Sequence, residues 1–232
     1  MVWAKTFQQL HRYIKNGKDN GFTLIELLIA MVIALVVLTS IASAFISQRK
    51  TYAVQEQIAE MIQTARASMD MITREIRMAG YAPSGTLQKN DPTETGGIPF
   101  VGIPYDTSQL EIVVDIDDDA GNGEGDGDTG DPNEDIVYRF YDATDSTYPN
   151  QIKRRTGSGF FQPFAENIEA FTFAYLDADG NATTTTADIR QIQVTITART
   201  AEQDPDYSDP TYSDGYRRYS LTSQITPPNL GL

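Results

Sequence analysis

The chain of 232 residues contains no cysteine and only one histidine, His11. Without cysteine it cannot form a disulfide bond, a thiol nucleophile or a thiolate zinc site. Most hydrolytic triads and most transition-metal sites need a histidine, and the single one lies near the N-terminus. The composition therefore argues against an enzyme.

Positive charge is also scarce in this sequence. It has 18 Lys and Arg against 32 Asp and Glu, which gives a formal net charge of −14. Residues 1–21 hold four of the bases and one acid, so the net charge without them would be −17. Such a body repels phosphate backbones, and we expect no nucleic-acid partner.

A long apolar run follows the basic N-terminal residues. It reads "GFTLIELLIAMVIALVVLTSIASAFI" from Gly21 to Ile46, and Glu26 is its only charged residue. A helix from Phe22 to Ile46 would be ~37 Å long, against a bilayer core of ~30 Å. The run is too long for the apolar region of an ordinary secretory signal, although "ASA" at 42–44 imitates a cleavage site. A plain signal anchor is the simpler alternative, but it does not account for Glu26 or for the Gly21–Phe22 junction.

The start of this run resembles a specific export signal. "GFTLIELLIAMVIALVVL" is similar to the class III signal of type IV pilins and related pseudopilins. In that family a prepilin peptidase cuts after the glycine on the cytoplasmic side, and the new N-terminal residue is N-methylated. The resemblance implies that residues 1–21 are a leader, that Gly21 and Phe22 form the processing site, and that the segment 22–46 is kept as the transmembrane or filament-core half of a helix.

The resemblance also suggests why the apolar run carries Glu26. A carboxylate in apolar surroundings is costly unless it is paired. Cleavage would create a positive amine on Phe22, and in a staggered filament this amine can meet Glu26 of a neighbouring subunit. We therefore expect Phe22 and Glu26 to act in filament assembly. The alternatives are that Glu26 lies at the level of the lipid headgroups, or that it pairs with its own Phe22 amine.

The helix is predicted to continue beyond the apolar run, through residues 47–80. No Gly or Pro interrupts it before Gly80, which is a predicted C-terminal stop. Apolar residues recur at spacings of three and four, which is typical of an amphipathic helix. They are Val54, Ile58, Met61, Ala65, Met69, Ile72, Ile76 and Ala79.

The remainder, residues 81–232, is predicted to be a β-rich globular domain. Apolar residues alternate most clearly in Gln191–Thr197. Six strands are expected, over residues 110–115, 135–142, 151–156, 168–177, 188–199 and 216–225. The predicted fold class is α+β and pilin-like: a long N-terminal helix, part membrane or filament core and part amphipathic, packed on a mainly antiparallel sheet.

The segment after the apolar run resembles one family of pilins more narrowly. "SQRKTYAVQEQIAEMIQTARASMDMITREIRMAGY" is similar to the corresponding part of PilW-type minor pilins, and pseudopilin J of type II secretion is related in architecture. The resemblance implies a non-enzymatic minor pilin that helps to build a type IV pilus. Its partners would be the prepilin peptidase, the major pilin and other minor pilins. It would span the inner membrane once, with the C-terminal domain extracytoplasmic, and then enter the filament.

Two other functions stay open, a type II secretion pseudopilin and a monomeric, membrane-anchored protein that binds calcium or adheres. The second rests on the loop "DIDDDAGNGEGDGDTGDPNED", residues 115–135, which holds ten acids. Calcium prefers several oxygen ligands on a flexible loop, but Ala120 stands where an EF-hand needs glycine. A solvated strand connection is the alternative. The candidate calcium ligands are Asp115, Asp117, Asp119, Asp126, Asp128 and Asp131.

Overall fold

The computed structural model describes residues 21–82, 101–117, 121, 125, 129 and 131–230. One helix, α1, spans Leu24–Met78. The described residues also form a short 3-10 helix, Thr186–Asp188, and seven strands. The strands are β1 Gln109–Val113, β2 Asp135–Tyr141, β3 Gln151–Thr156, β4 Gln162–Ala165, β5 Ile168–Leu176, β6 Gln191–Arg199 and β7 Arg218–Ile225.

Two compact units share α1 between them. The first is Met1–Tyr52, and its described residues, from 21 on, are all exposed. The second is Ala53–Leu232, and it holds the remaining turns of α1 and all seven strands.

In the second unit, α1 is amphipathic, as the spacing of its apolar residues predicts. Its buried apolar residues recur every three or four positions, so they form a single stripe. These residues are Met61, Ala65, Met69, Ile72 and Ile76.

Just after the end of α1, Gly80 and Gly102 lie in close contact. Gly80 has a φ of +72°, a conformation that favours glycine, and its N–H donates to the carbonyl of Val113 at 2.9 Å. A Cβ on Gly102 would lie 2.5 Å from the backbone nitrogen of Gly80, so this approach requires glycine at 102. The predicted stop at Gly80 is confirmed.

The strands form two antiparallel sheets, where the sequence pattern predicts a single mainly antiparallel one. The first has the order β1-β2-β3-β4 and the second the order β5-β6-β7. Strand β4 was not predicted, because it has four residues and contains Pro163, so it carries no alternating pattern. One core joins the helix stripe to residues of both sheets, among them Ile136 and Ile196. The α+β class with a long N-terminal helix is confirmed.

A buried ion pair ties α1 to the first sheet. Glu75 is 6% exposed, and its Oε1 lies 2.6 Å from Nη2 of Arg154 on β3. Its Oε2 accepts a hydrogen bond from Nε of Arg154 at 3.3 Å and another from the hydroxyl of Tyr138 on β2. Burial, followed by the nearby charge of Glu75, raises the pKa of Tyr138, so the hydroxyl remains a donor. These contacts hold α1 in one position against the first sheet.

We predict that Glu75→Leu destabilises the second unit, residues 53–232, by ~3–5 kcal/mol, because the half-buried charge of Arg154 and the buried hydroxyl of Tyr138 lose their partner. Urea unfolding measures the loss. The matched control is Asp70→Leu on the same helix, which breaks an exposed ion pair with Arg74 at 3.0 Å and should cost less than about 1 kcal/mol. Equal costs for the two substitutions would contradict the role given to Glu75.

Candidate functional site

The first candidate site lies where α1 begins. Gly21 and Phe22 precede the helix in chain without regular structure, and Phe22 is 87% exposed. Both residues of the predicted cleavage junction are therefore accessible from solvent. Their role in processing stays a prediction.

Glu26 and Thr23 bond each other across the first turn of α1. The N–H of Glu26 donates to Oγ1 of Thr23 at 3.3 Å. In return, Oε2 of Glu26 accepts from the N–H of Thr23 at 3.0 Å and from its hydroxyl at 2.9 Å. This reciprocal arrangement is a capping box, which satisfies backbone donors that the start of a helix leaves unpaired. Its signal, Thr followed three residues later by Glu, is present in the sequence but was overlooked there.

The capping box adds a local role to the expectation for Glu26. Within this chain the carboxylate bonds Thr23, and its pairing with a Phe22 amine stays a prediction. Both of its described side-chain bonds end on Oε2, so they hold the carboxylate at the start of the helix while Oε1 takes part in neither. A positive group can therefore approach Glu26 without breaking the cap.

The following turns of α1 expose apolar side chains on every side. The helix contains an 18-residue window with a mean hydropathy of 2.8, and none of that window is buried. Among the described residues this is the one helix that is long and apolar enough to cross a membrane. An apolar helix without a polar face needs lipid or other helices around it.

The second candidate site is the base of the acidic loop, where Glu134 joins its two ends. Glu134 is fully buried. Its Oε1 accepts from the N–H groups of Ile116 and Asp117 at 2.8 and 2.9 Å, and its Oε2 accepts from the N–H of Asp131 at 3.2 Å. Burial raises the pKa of the Glu134 carboxyl, while these three bonds act in the opposite direction. Sequence reasoning gave Glu134 no role.

Asp115 is also fully buried at the base of this loop. The backbone of Gly125 packs directly on it, and a Cβ there would lie 2.2 Å from Oδ1 of Asp115. The loop therefore folds back over its own base, and it needs a glycine at 125 to do so.

The described part of the loop does not form a recognisable metal centre. Among the residues that the structure describes, no group of three or more His, Cys, Asp and Glu is placed to hold a metal ion. Asp115, Asp117 and Asp131 are described, whereas Asp119, Asp126 and Asp128 lie outside the described residues. Calcium binding by the loop thus stays a prediction.

Comparison with known proteins bears on the first site. Residues 16–42 match the family model of the prokaryotic N-terminal methylation motif, and this span contains Gly21, Phe22 and Glu26. The chain thus carries the N-terminal methylation motif of prokaryotic prepilins. The predicted resemblance is confirmed at this level, while the PilW type stays a prediction.

The other comparisons extend beyond the motif. Among solved structures, this chain is similar to a type IV-like pilin from Thermus thermophilus, with 13% identity over 73% of this chain and 98% of that chain and a TM-score of 0.42. No curated protein matches the sequence.

We predict that Glu134→Ala destabilises the globular unit by ~2–3 kcal/mol, since three backbone N–H groups lose their acceptor at a buried position. Thermal unfolding of residues 53–232 measures the effect. The exposed Glu202→Ala serves as the control and should change stability by less than about 0.5 kcal/mol. An unchanged melting temperature for Glu134→Ala would show that water replaces the carboxylate without loss.

Proposed function

We propose that this pilin-like protein is a minor pilin of a type IV pilus, a structural subunit that takes part in starting or building the filament. The observation that carries the proposal is the methylation motif at residues 16–42, which covers the glycine junction and Glu26. It includes the first turns of α1, whose apolar window is exposed on all sides. The resemblance of the following segment to PilW-type minor pilins supports the minor role.

Processing is the first step of this function. The prepilin peptidase cuts between Gly21 and Phe22 on the cytoplasmic side, and the amine of Phe22 is methylated. The segment 22–46 stays in the inner membrane as a single span, since the basic leader favours a cytoplasmic N-terminus. The globular unit is then extracytoplasmic.

Assembly is the second step, and it uses the charge of Glu26. In an apolar filament core an unpaired carboxylate is costly, so the ion pair with the Phe22 amine of a neighbour favours one axial position of the subunit. The capping box with Thr23 already restricts the carboxylate, so pairing orders less of the side chain. The partners in this step are the major pilin and other minor pilins.

In this account the chain performs no catalysis and is itself a substrate of the peptidase and the methyltransferase. A pseudopilin of type II secretion would use the same junction, the same Glu26 and the same apolar helix. Proteins that co-purify with the chain in its host distinguish the two assemblies, because each assembly has its own major subunit. A monomeric anchored protein would enter neither filament.

We predict that Glu26→Gln sharply reduces incorporation into filaments. Glutamine can replace glutamate in a capping box, so this change keeps the bonds to Thr23 and removes only the charge. The amount in sheared filaments should fall at least about tenfold, the effect of losing roughly 1.4 kcal/mol of pairing. Insertion into the membrane should not change.

The control is Glu56→Gln, the same chemical change at an exposed position of the same helix beyond the apolar segment. Immunoblots of sheared filaments and of membranes compare both variants with the wild type. Recovery of Glu26→Gln at the wild-type level would refute the pairing role. Failure of the wild type to appear in any filament would refute the proposed function.

A further inference from the structure

The outer edge of β7 is unpaired in the part of the chain that the structure describes. In the order β5-β6-β7 this strand is terminal, and within the part of the chain that the structure describes no strand pairs with its outer side. Its eight residues pair with β6 without a register shift, from Ile192 opposite Ile225 to Arg199 opposite Arg218. A long, regular edge of this kind presents a row of backbone donors and acceptors.

The other sheet edges carry features that hinder pairing. Strand β4 has only four residues and includes Pro163. Strand β5 has an irregularity between Ile168 and Ala170, and the N–H of Ile168 donates to the carbonyl of Asn150. Strand β1 has five residues, and the N–H of Val113 at its end donates to the carbonyl of Gly102. Short length, proline, bulges and covering segments are the usual protections of an edge strand, and among the described residues β7 shows none of them.

The side chains of β7 also carry no charge after Arg218. Ser220, Thr222 and Gln224 lie on the exposed face, while Tyr219 and Leu221 pack against the core from the other face. Cross-strand bonds hold the exposed face in place: the hydroxyls of Thr195 and Thr222 are 2.8 Å apart, and those of Thr197 and Ser220 are 2.6 Å apart. The edge is therefore regular, and it is uncharged from Tyr219 to Ile225, in a chain with a net charge of −14.

We infer that β7 pairs in antiparallel fashion with β7 of a second copy of this chain, which joins two three-stranded sheets into one. Charge is the reason for choosing a second copy. Two acidic chains repel each other over most of their surfaces, but the segment Tyr219–Ile225 brings no like charges together when it meets itself. Antiparallel pairing of identical strands around a two-fold axis is self-complementary, and its backbone hydrogen bonds supply the affinity. This interface does not depend on processing or on a pilus.

Because the chain has no cysteine of its own, any disulfide bond must come from cysteines introduced by substitution. Directly opposite residues of an antiparallel pair face the same side of the sheet, roughly 4.5–5.5 Å apart at Cα, which a disulfide can bridge. In the full-length chain in detergent micelles, Ser220→Cys, Thr222→Cys and Gln224→Cys are oxidised alone and in pairwise mixtures. Together, the variants and mixtures cover the registers of the β7 pair that place two of these three residues opposite each other. At least one of them should therefore give a disulfide-linked dimer.

The matched control is Thr172→Cys, which lies on the opposite edge of the same sheet, in the same row as Thr195 and Thr222. It should give no disulfide-linked dimer. Absence of a dimer from every β7 variant would overturn the inference, and so would equal cross-linking at Thr172. Cross-linking of the β7 variants in the native host to a different protein alone would overturn the choice of a second copy.

A second readout needs no cysteine. Thr222→Lys places like charges at the interface, so the dissociation constant of the dimer should rise at least about tenfold, whereas Thr172→Lys should leave it unchanged. Analytical ultracentrifugation measures both, and circular dichroism checks that both variants fold. An unchanged dissociation constant for a folded Thr222→Lys variant would contradict the interface.

Discussion

The ion pair of Glu75 with Arg154 is the interaction on which the arrangement of the globular unit depends. A carboxylate that is 6% exposed loses its hydration, and here Arg154 and Tyr138 replace it. Such a pair adds little net stability, because desolvation offsets most of the attraction. Its effect is on specificity: a shift of α1 along the first sheet would leave a charge buried without a partner. The apolar stripe favours burial of the helix, and Glu75 decides where it docks.

The same constraint recurs at two other carboxylates of this acidic chain. Glu134 is buried at the base of the acidic loop and takes its hydrogen bonds from three backbone N–H groups, so the loop closes around it. Glu26 lies in the first turn of the apolar helix and is held by Thr23. In the proposed filament the apolar surroundings of Glu26 come from neighbouring subunits, and the missing positive charge then comes from a neighbour as well. In each case the apolar surroundings of the carboxylate require a hydrogen-bond donor or a positive group next to it.

Local sequence patterns predicted the helix and most of the strands, but they did not predict the polar contacts of the core. The regular spacing of apolar residues gave α1, and Gly80 gave its end, because both signals lie within a few neighbouring residues. Strand β6 followed from strict alternation, whereas β4 is too short to show any. The separation into two sheets depends on long-range pairing, which alternation does not encode. Glu75 lies three positions after Ile72, on the edge of the apolar stripe, but only the tertiary structure brings Arg154 to it.

In the proposed function, the apolar helix is the start of a mature, processed subunit. The most direct measurement is the intact mass of the protein purified from membranes of its native host, for the wild type and for Gly21→Val. The account predicts a wild-type chain that lacks residues 1–21 and carries one methyl group on Phe22. It predicts an uncut Gly21→Val chain, because the peptidase is expected to need a small residue at the junction. A wild-type chain that is uncut, or that begins near residue 43, would contradict it.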